Sequence, residues 1–171
     1  FVEALAPTLA DRGIAVNAIG LTCFGAIVIG MISVVAITPT TAASELYKKA
    51  VQRGQKGDHD GALADFDRLL QIHPRHAQAH WGRGAARENK GDTDGAIVDY
   101  TEALTIDPSL ERVYLNRAWL LRKKGDLEKS LSDLNQALRI NGGSISTLLE
   151  RASVQCDRQD WDAALADYET I

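Results

Sequence analysis

Residues that usually carry chemistry are scarce in this 171-residue chain, and each scarcity excludes something. There are two cysteines, Cys23 inside an apolar run and Cys156 near the far end. Thiols so placed imply no disulfide framework. Basic charge is not in excess either: the formal net charge is −4, with the two signs interspersed. Binding a phosphate backbone calls for a basic face, so nucleic acid is not expected as a partner. The chain has no Ser–His–Asp or Cys–His arrangement and no glycine-rich phosphate loop. Three of its four histidines, His73, His76 and His80, fall close together, but no cysteine or acidic residue is placed to join them. A zinc site needs three or four converging nitrogen or sulfur ligands. Asp58-His59-Asp60-Gly61 and Asp92-Thr93-Asp94-Gly95 lack the third acidic position and closing glutamate of a calcium loop. The expectation is a protein that is not an enzyme, with no catalytic residue, no metal and no cofactor.

Charge is missing altogether from Gly13 to Ser44, and within that stretch Ala18–Ile37 is a nearly continuous apolar run. Some twenty residues can cross a bilayer as a helix. Thr41-Ala42-Ala43, just beyond, offers small residues of the kind an export peptidase accepts. Two readings stay open, a cleaved export signal and a retained membrane anchor. A buried core helix is the third and weakest, because nothing downstream offers a matching apolar partner. The flank holds only Asp11 and Arg12, so orientation is weakly specified. On either leading reading the remainder of the protein is membrane-anchored or exported, with the membrane as a partner through this segment.

What the chain does contain is repetition. GDHDGALADFDRLLQIHP (Gly57–Pro74), GDTDGAIVDYTEALTIDP (Gly91–Pro108) and GDLEKSLSDLNQALRIN (Gly125–Asn141) follow one another at a spacing of 34 residues. QDWDAALADYETI (Gln159–Ile171) keeps the same register. This period, built from two helical stretches, marks a stacked helical repeat, whose units bury their apolar faces only against one another. Leu63, Phe66 and Leu70, and likewise Ile97, Tyr100 and Leu104, recur at i, i+3, i+7, one stripe of a helix. Asp58 and Asp60, then Asp92 and Asp94, place carboxylates at helix starts, where unpaired N–H groups and the dipole favour them. Small residues at Ala62, Ala96, Ser130 and Ala164 let neighbouring helices approach closely.

The small–aromatic–small–proline signature of each unit is Ala62, Phe66, Leu69, Pro74, then Ala96, Tyr100, Ala103, Pro108. The third unit has Ser130, Leu134 and Ala137, and the fourth Ala164, Tyr168 and Ile171. From about Ala43 to Ile171 the chain resembles the tetratricopeptide repeat family. Two departures stand out. Asn141-Gly142-Gly143 replaces the proline of the third unit, where a left-handed glycine cap is expected to end the helix, and Gln159 replaces the turn glycine of the fourth. The resemblance implies an all-α solenoid of about four helix-turn-helix repeats at 43–76, 77–110, 111–144 and 145–171, the last one truncated. They follow an N-terminal segment, 1–42, that holds the apolar helix.

The resemblance also implies a ligand groove lined by the first helix of each unit. Carried onto this chain, the fifth positions are Tyr47, Trp81, Leu115 and Leu149, the ninth Trp119 beside Val51, Ala85 and Ser153, the second Arg112 and Gln78, the twelfth Glu88 and Arg122, with Asn116 at a sixth. Aromatic and arginine side chains of this kind anchor peptides. The function implied is a protein- or peptide-binding scaffold.

Aligning the units on one another exposes a second pattern. The seventh position is Lys49, Arg83, Arg117 and Arg151, and the twenty-third is Asp65, Asp99, Asp133 and Asp167. The basic row could receive acidic ligands, or each cation could pair with an aspartate on the facing helix. The acid recurs in step with the base, which favours a structural ladder of ion pairs, and planar arginine suits bidentate, partly buried pairing.

One further stretch, EALAPTLADRGIAVNAIG (Glu3–Gly20), resembles the segment of short-chain dehydrogenases that follows their catalytic helix. The nucleotide-binding glycines and Tyr-x-x-x-Lys pair of that family are not in this sequence, so the resemblance implies no chemistry here. A fragment of a reductase-like chain with appended repeats is therefore one alternative to the binding scaffold. A purely structural, self-associating scaffold is the other.

Overall fold

The computed structural model describes residues 39–171. Among them the chain forms eight α-helices and no strand: α1 (Pro39–Gln55), α2 (His59–Ile72), α3 (Ala77–Asn89), α4 (Thr93–Ile106), α5 (Glu111–Lys123), α6 (Leu127–Ile140), α7 (Ile145–Asp157) and α8 (Trp161–Glu169). The apolar run Ala18–Ile37, the stretch Glu3–Gly20 and Cys23 lie outside the described residues. No described helix is long and apolar enough to cross a membrane. Cys156 is a free thiol in α7.

One aspartate per unit does two jobs at the turn between paired helices. Asp58, Asp92, Asp126 and Asp160 are the N-caps of α2, α4, α6 and α8, their carboxylates accepting from the backbone N–H of Gly61, Gly95, Lys129 and Ala163. The backbone N–H of the same four residues reaches back to the carbonyls of Arg53, Arg87, Leu121 and Gln155, closing the preceding helix at 2.9–3.0 Å. That six-residue closure needs a left-handed residue just before the aspartate. Gly57, Gly91 and Gly125 supply it at φ 82°, and Gln159 adopts φ 64° in the fourth unit. The glycines after α6 do not act this way: Gly142 and Gly143 are not at positive φ. Asn141 ends α6 at φ −138° with its N–H on Ala137 O, as His73 and Asp107 end α2 and α4 at φ −128° and −135°. The third unit thus stops like its proline-bearing siblings, and the expected left-handed cap is replaced by an extended residue.

α4 and α6 each pack between the first helix of their own unit and that of the next, which is why their apolar stripes are the core. Ala96, Tyr100, Ala103, Leu104, Val113 and Leu120 form one buried cluster, joined by Trp81, Ile97, Leu110 and Tyr114. Ala118, Leu131, Leu134 and Val154 form another, joined by Leu115 and Leu127. The small residues Ala62, Ala96, Ser130 and Ala164 are all buried. Ser130 donates its hydroxyl to Ala118 O at 2.8 Å, so a polar side chain fits that tight contact without an unmet hydrogen bond.

Candidate functional site

A cavity of about 320 Å³ opens between α1 and α3, with α2 as its floor. Ala50, Val51, Gly54 and Gln55 line it from α1, Gly82, Ala85, Ala86 and Asn89 from α3, and His59 and Phe66 from α2. Three- and four-residue spacings bring each set to one helix face. Two glycines make the space. A Cβ at Gly82 would stand 2.3 Å from the Phe66 ring, so the aromatic floor requires glycine opposite it. Gly54 meets only Ala62 Cβ at 3.8 Å. The residues 34 and 68 positions further on are Glu88 and Arg122 for Gly54, and Asn116 and Glu150 for Gly82. There the space is occupied: Glu88 accepts from the Tyr100 hydroxyl, and Arg122 pairs with Asp157 at 2.6 Å and Glu150 at 3.3 Å. Burial, first, and the Glu88 carboxylate hold the Tyr100 phenol protonated far above its ordinary range. The first joint is therefore an opened, largely apolar version of a contact that later joints fill with polar groups.

The residues expected along the groove are placed in different surroundings. Tyr47 is half-buried, its ring edge-on to Phe66 at 6.1 Å and stacked on His76 at 5.4 Å, and burial raises its phenol pKa. Trp81 packs on the Tyr100 cluster and Leu115 on the Leu134 cluster. With the Asn116 amide turned as its neighbours favour, its oxygen accepts from Trp81 Nε1 at 3.3 Å and its nitrogen donates to Arg112 O at 3.2 Å. Trp119 and Leu149 are 39% and 44% exposed, and Arg112 is exposed as well. Lys123 Nζ sits 4.1 Å above the Trp119 ring, a cation–π contact. Of the expected groove positions the cavity takes the ninth-position Val51 and Ala85, and none of the expected aromatic or arginine anchors. Its signal in the sequence is the pair of glycines, Gly54 and Gly82, at positions where later units carry large polar side chains.

Arginines and aspartates meet at every joint. Arg83 spans Asp99 with Nε at 3.0 Å and Nη2 at 2.6 Å, Arg117 spans Asp133 at 2.7 and 2.6 Å, and Arg151 Nε reaches Asp167 at 2.9 Å. All of these aspartates are buried. The remaining Nη1 of each arginine turns to the preceding unit, donating to Asp67 (2.7 Å), Thr101 (2.9 Å) and Asn135 (2.7 Å). Each side chain therefore ties three helices, two of its own unit and one of its neighbour. Asp65 in the first unit is held by Arg53 at 2.8 Å, with Lys49 further off at 3.7 Å. An outer row runs beside this one: Lys90 pairs with Asp60, Lys124 with Asp94, and Arg158 with Glu128 at 3.1 Å. Those partners also recur every 34 residues, so unit-on-unit alignment would have found them.

The histidines at the first joint serve as structure. His76 caps α3 by accepting from Ala79 N–H at 3.2 Å, and His80 Nε2 lies 2.8 Å from Pro74 O. No group of three potential metal ligands converges among the described residues.

Tetratricopeptide repeat models match residues 47–111 and 111–143. The chain belongs to the tetratricopeptide repeat family. Solved repeat proteins share the fold. MamA aligns with a TM-score of 0.73 at 14% identity, covering 77% of each chain. The type III secretion chaperone SycD of Yersinia enterocolitica, solved with a peptide of the translocator YopD, aligns at 0.66 and 23% identity over 71% of this chain and 98% of that one. The first repeat domain of Spaghetti (RPAP3), bound to an HSP90 peptide, aligns at 0.66 and 17% identity over 68% and 93%. A comparison with curated proteins gave no match.

Proposed function

We propose that this repeat array is a non-enzymatic scaffold that captures a peptide segment of a partner protein, with one bulky apolar side chain of that segment seated between α1 and α3. The observation that carries the reading is the glycine-opened cavity, whose only titratable lining residue is His59. Its volume is at the small end of ligand pockets, which run from about 300 to 1,000 Å³, and suits an anchor side chain better than a cofactor. Gln55 and Asn89 place side-chain amides beside the apolar lining, Asn89 with its Nδ2 donating to Ala85 O at 2.8 Å, and ligand pockets pair an apolar lining with a few such polar groups. Peptides bound to SycD and to Spaghetti support the same use of the fold. Trp119, Leu149 and Arg112 extend the surface that such a segment would cross.

The test is to fill the cavity. Gly54 lies inside α1 with room around its Cβ position, and leucine is the better helix former by close to 1 kcal/mol. Gly54→Leu should keep the fold and weaken peptides selected from a library against the wild type by tenfold or more, since a lost anchor costs about 2 kcal/mol. Unchanged affinity in a folded Gly54→Leu protein would remove the cavity from the function. The apolar run Ala18–Ile37 supports a second element of the proposal, tethering or export across a membrane. An arginine at Val28 should displace the protein from the membrane or periplasmic fraction, and unaltered fractionation would rule that element out.

A further inference from the structure

The outer row of ion pairs recurs at a fixed offset, and that offset leaves two members over. One row of equivalent positions is Lys56, Lys90, Lys124 and Arg158, and another is Asp60, Asp94, Glu128 and Asp162. Each internal cation reaches back to the acid of the preceding unit, Lys90 to Asp60, Lys124 to Asp94 and Arg158 to Glu128. Lys56 near the first helix and Asp162 in the last are both exposed, with no ion-pair partner among the described residues. Glu169 is likewise exposed, at the position where Asp67 receives Arg83. An apolar stripe lies beside these carboxylates. Trp161, Leu165 and Tyr168 are exposed at i, i+4, i+7, whereas the equivalent Tyr100 is covered in a cluster with Val113 and Leu120 of the following unit.

We propose that α8 of one copy receives α1 of a second copy, so that chains associate head to tail. Charge selects this occupant. Gln159–Ile171 holds Asp160, Asp162, Asp167 and Glu169 and no basic residue, while Leu46–Lys56 holds Lys48, Lys49, Arg53 and Lys56 and no acidic one. Two α8 helices facing each other would set like charges together, which an interface disfavours. Seated on α8 as α3 is seated on α2, the second copy's first helix brings Lys56 to Asp162 and Lys49 to Glu169. Those contacts repeat Lys90 on Asp60 and Arg83 on Asp67. Lys49 is available for this, being 3.7 Å from Asp65 with half its side chain exposed. Its aliphatic stem and that of Lys56 can cover the Trp161 and Leu165 stripe. The joint is weaker than an internal one. Glu45 and Gln52 stand where later first helices bury Ala79 and Ala86, Val113 and Leu120, and Thr147 and Val154. Association is therefore reversible and salt-sensitive. A head-to-tail contact leaves a head and a tail on each open assembly, so growth continues beyond the dimer.

The experiment follows the full chain by sedimentation velocity over a range of concentrations. A fixed level of nonionic detergent masks association through the apolar run Ala18–Ile37. The expected result is concentration-dependent assembly that weakens at least tenfold between low salt and about 0.5 M salt. Lys56→Glu alone and Asp162→Lys alone should each weaken it about tenfold, because each sets like charges face to face. An equimolar mixture of the two single variants should associate as the wild type does, and so should the doubly reversed chain. Trp161→Ser, at an exposed site, should reduce assembly and leave helicity intact. A symmetric α8-to-α8 dimer would be untouched by Lys56→Glu, and a basic helix of another protein as the occupant would leave this chain monomeric. Either result, or a mixture of the single variants that stays apart, would overturn the proposal.

Discussion

At the scale of single residues, the ladder arginines are worth more than their charge. Asp133 is buried, and Arg117 is the cation in ion-pair contact with it. Removing one member of a buried pair strands the other and typically costs about 3–5 kcal/mol, whereas replacing both with apolar residues is often near neutral. Arg117→Leu should therefore lower the unfolding free energy by about 3 kcal/mol or more, and Arg117→Leu with Asp133→Leu should restore most of it in denaturant titrations. His76 makes a separate prediction. Burial is the chief cause that lowers its pKa from 6.5, with His73 and His80 adding like-charge repulsion and a backbone hydrogen bond opposing them. Its Nδ1 must stay unprotonated to accept from Ala79 N–H. The folded value lies below the unfolded one, so the unfolded chain takes up the proton first. This contribution to stability is whole at pH values above about 6.5 and is lost as pH falls through the folded value. His76→Asn keeps a capping acceptor without a titrating ring, and should flatten that part of the stability profile between pH 7.5 and 5.5. An unaltered slope would mean that the cap is not what titrates.

At the scale of helices and turns, the fourth hairpin differs from the other three by one backbone residue. Gln159 holds a left-handed conformation that glycine occupies at Gly57, Gly91 and Gly125. A side chain there costs about 1 kcal/mol, so Gln159→Gly should raise the thermal midpoint by a few degrees, with the gain concentrated in α7 and α8. The helices, turns and capping aspartates were legible in the sequence because each rests on local rules repeated at one period. Gly142 and Gly143 misled for the opposite reason. Glycine permits a left-handed cap but does not demand one, and the packing of the third unit keeps the extended end used by its siblings. The cavity between α1 and α3 was not legible. Gly54 and Gly82 look like weak points within helices until the Phe66 ring is seen filling the place of a Cβ on Gly82, with open space beside Gly54. Nor does a fifth-position aromatic announce how deeply its neighbours will cover it. Tyr47 and Trp81 are packed against Phe66, His76 and the Tyr100 cluster, while Trp119 keeps an exposed face.

At the scale of the whole repeat array, stability is a sum of units and joints, so protection should follow how many neighbours an element has. α4 lies between α3 and α5, and its Tyr100 is fully buried. The equivalent Tyr168 of α8 is 48% exposed, beside Trp161 and Leu165, which are exposed as well. Asp162 and Glu169 of α8 occupy the register positions at which Asp60 and Asp67 of α2 receive the cations of the following unit. Fewer buried apolar contacts and fewer interhelical ion pairs mean a lower free energy of local opening. Amides of α8 should therefore exchange with solvent by local opening, at least tenfold faster than those of α4, whose exchange should require unfolding of the joints on both sides. Breaking the middle joint with Arg117→Leu should speed exchange in α4, α5 and α6 and change α8 little, because α8 already opens without it. If α8 and α4 exchange at the same rate in the unaltered chain, the array unfolds as one cooperative unit and the joint-by-joint account of its stability is wrong.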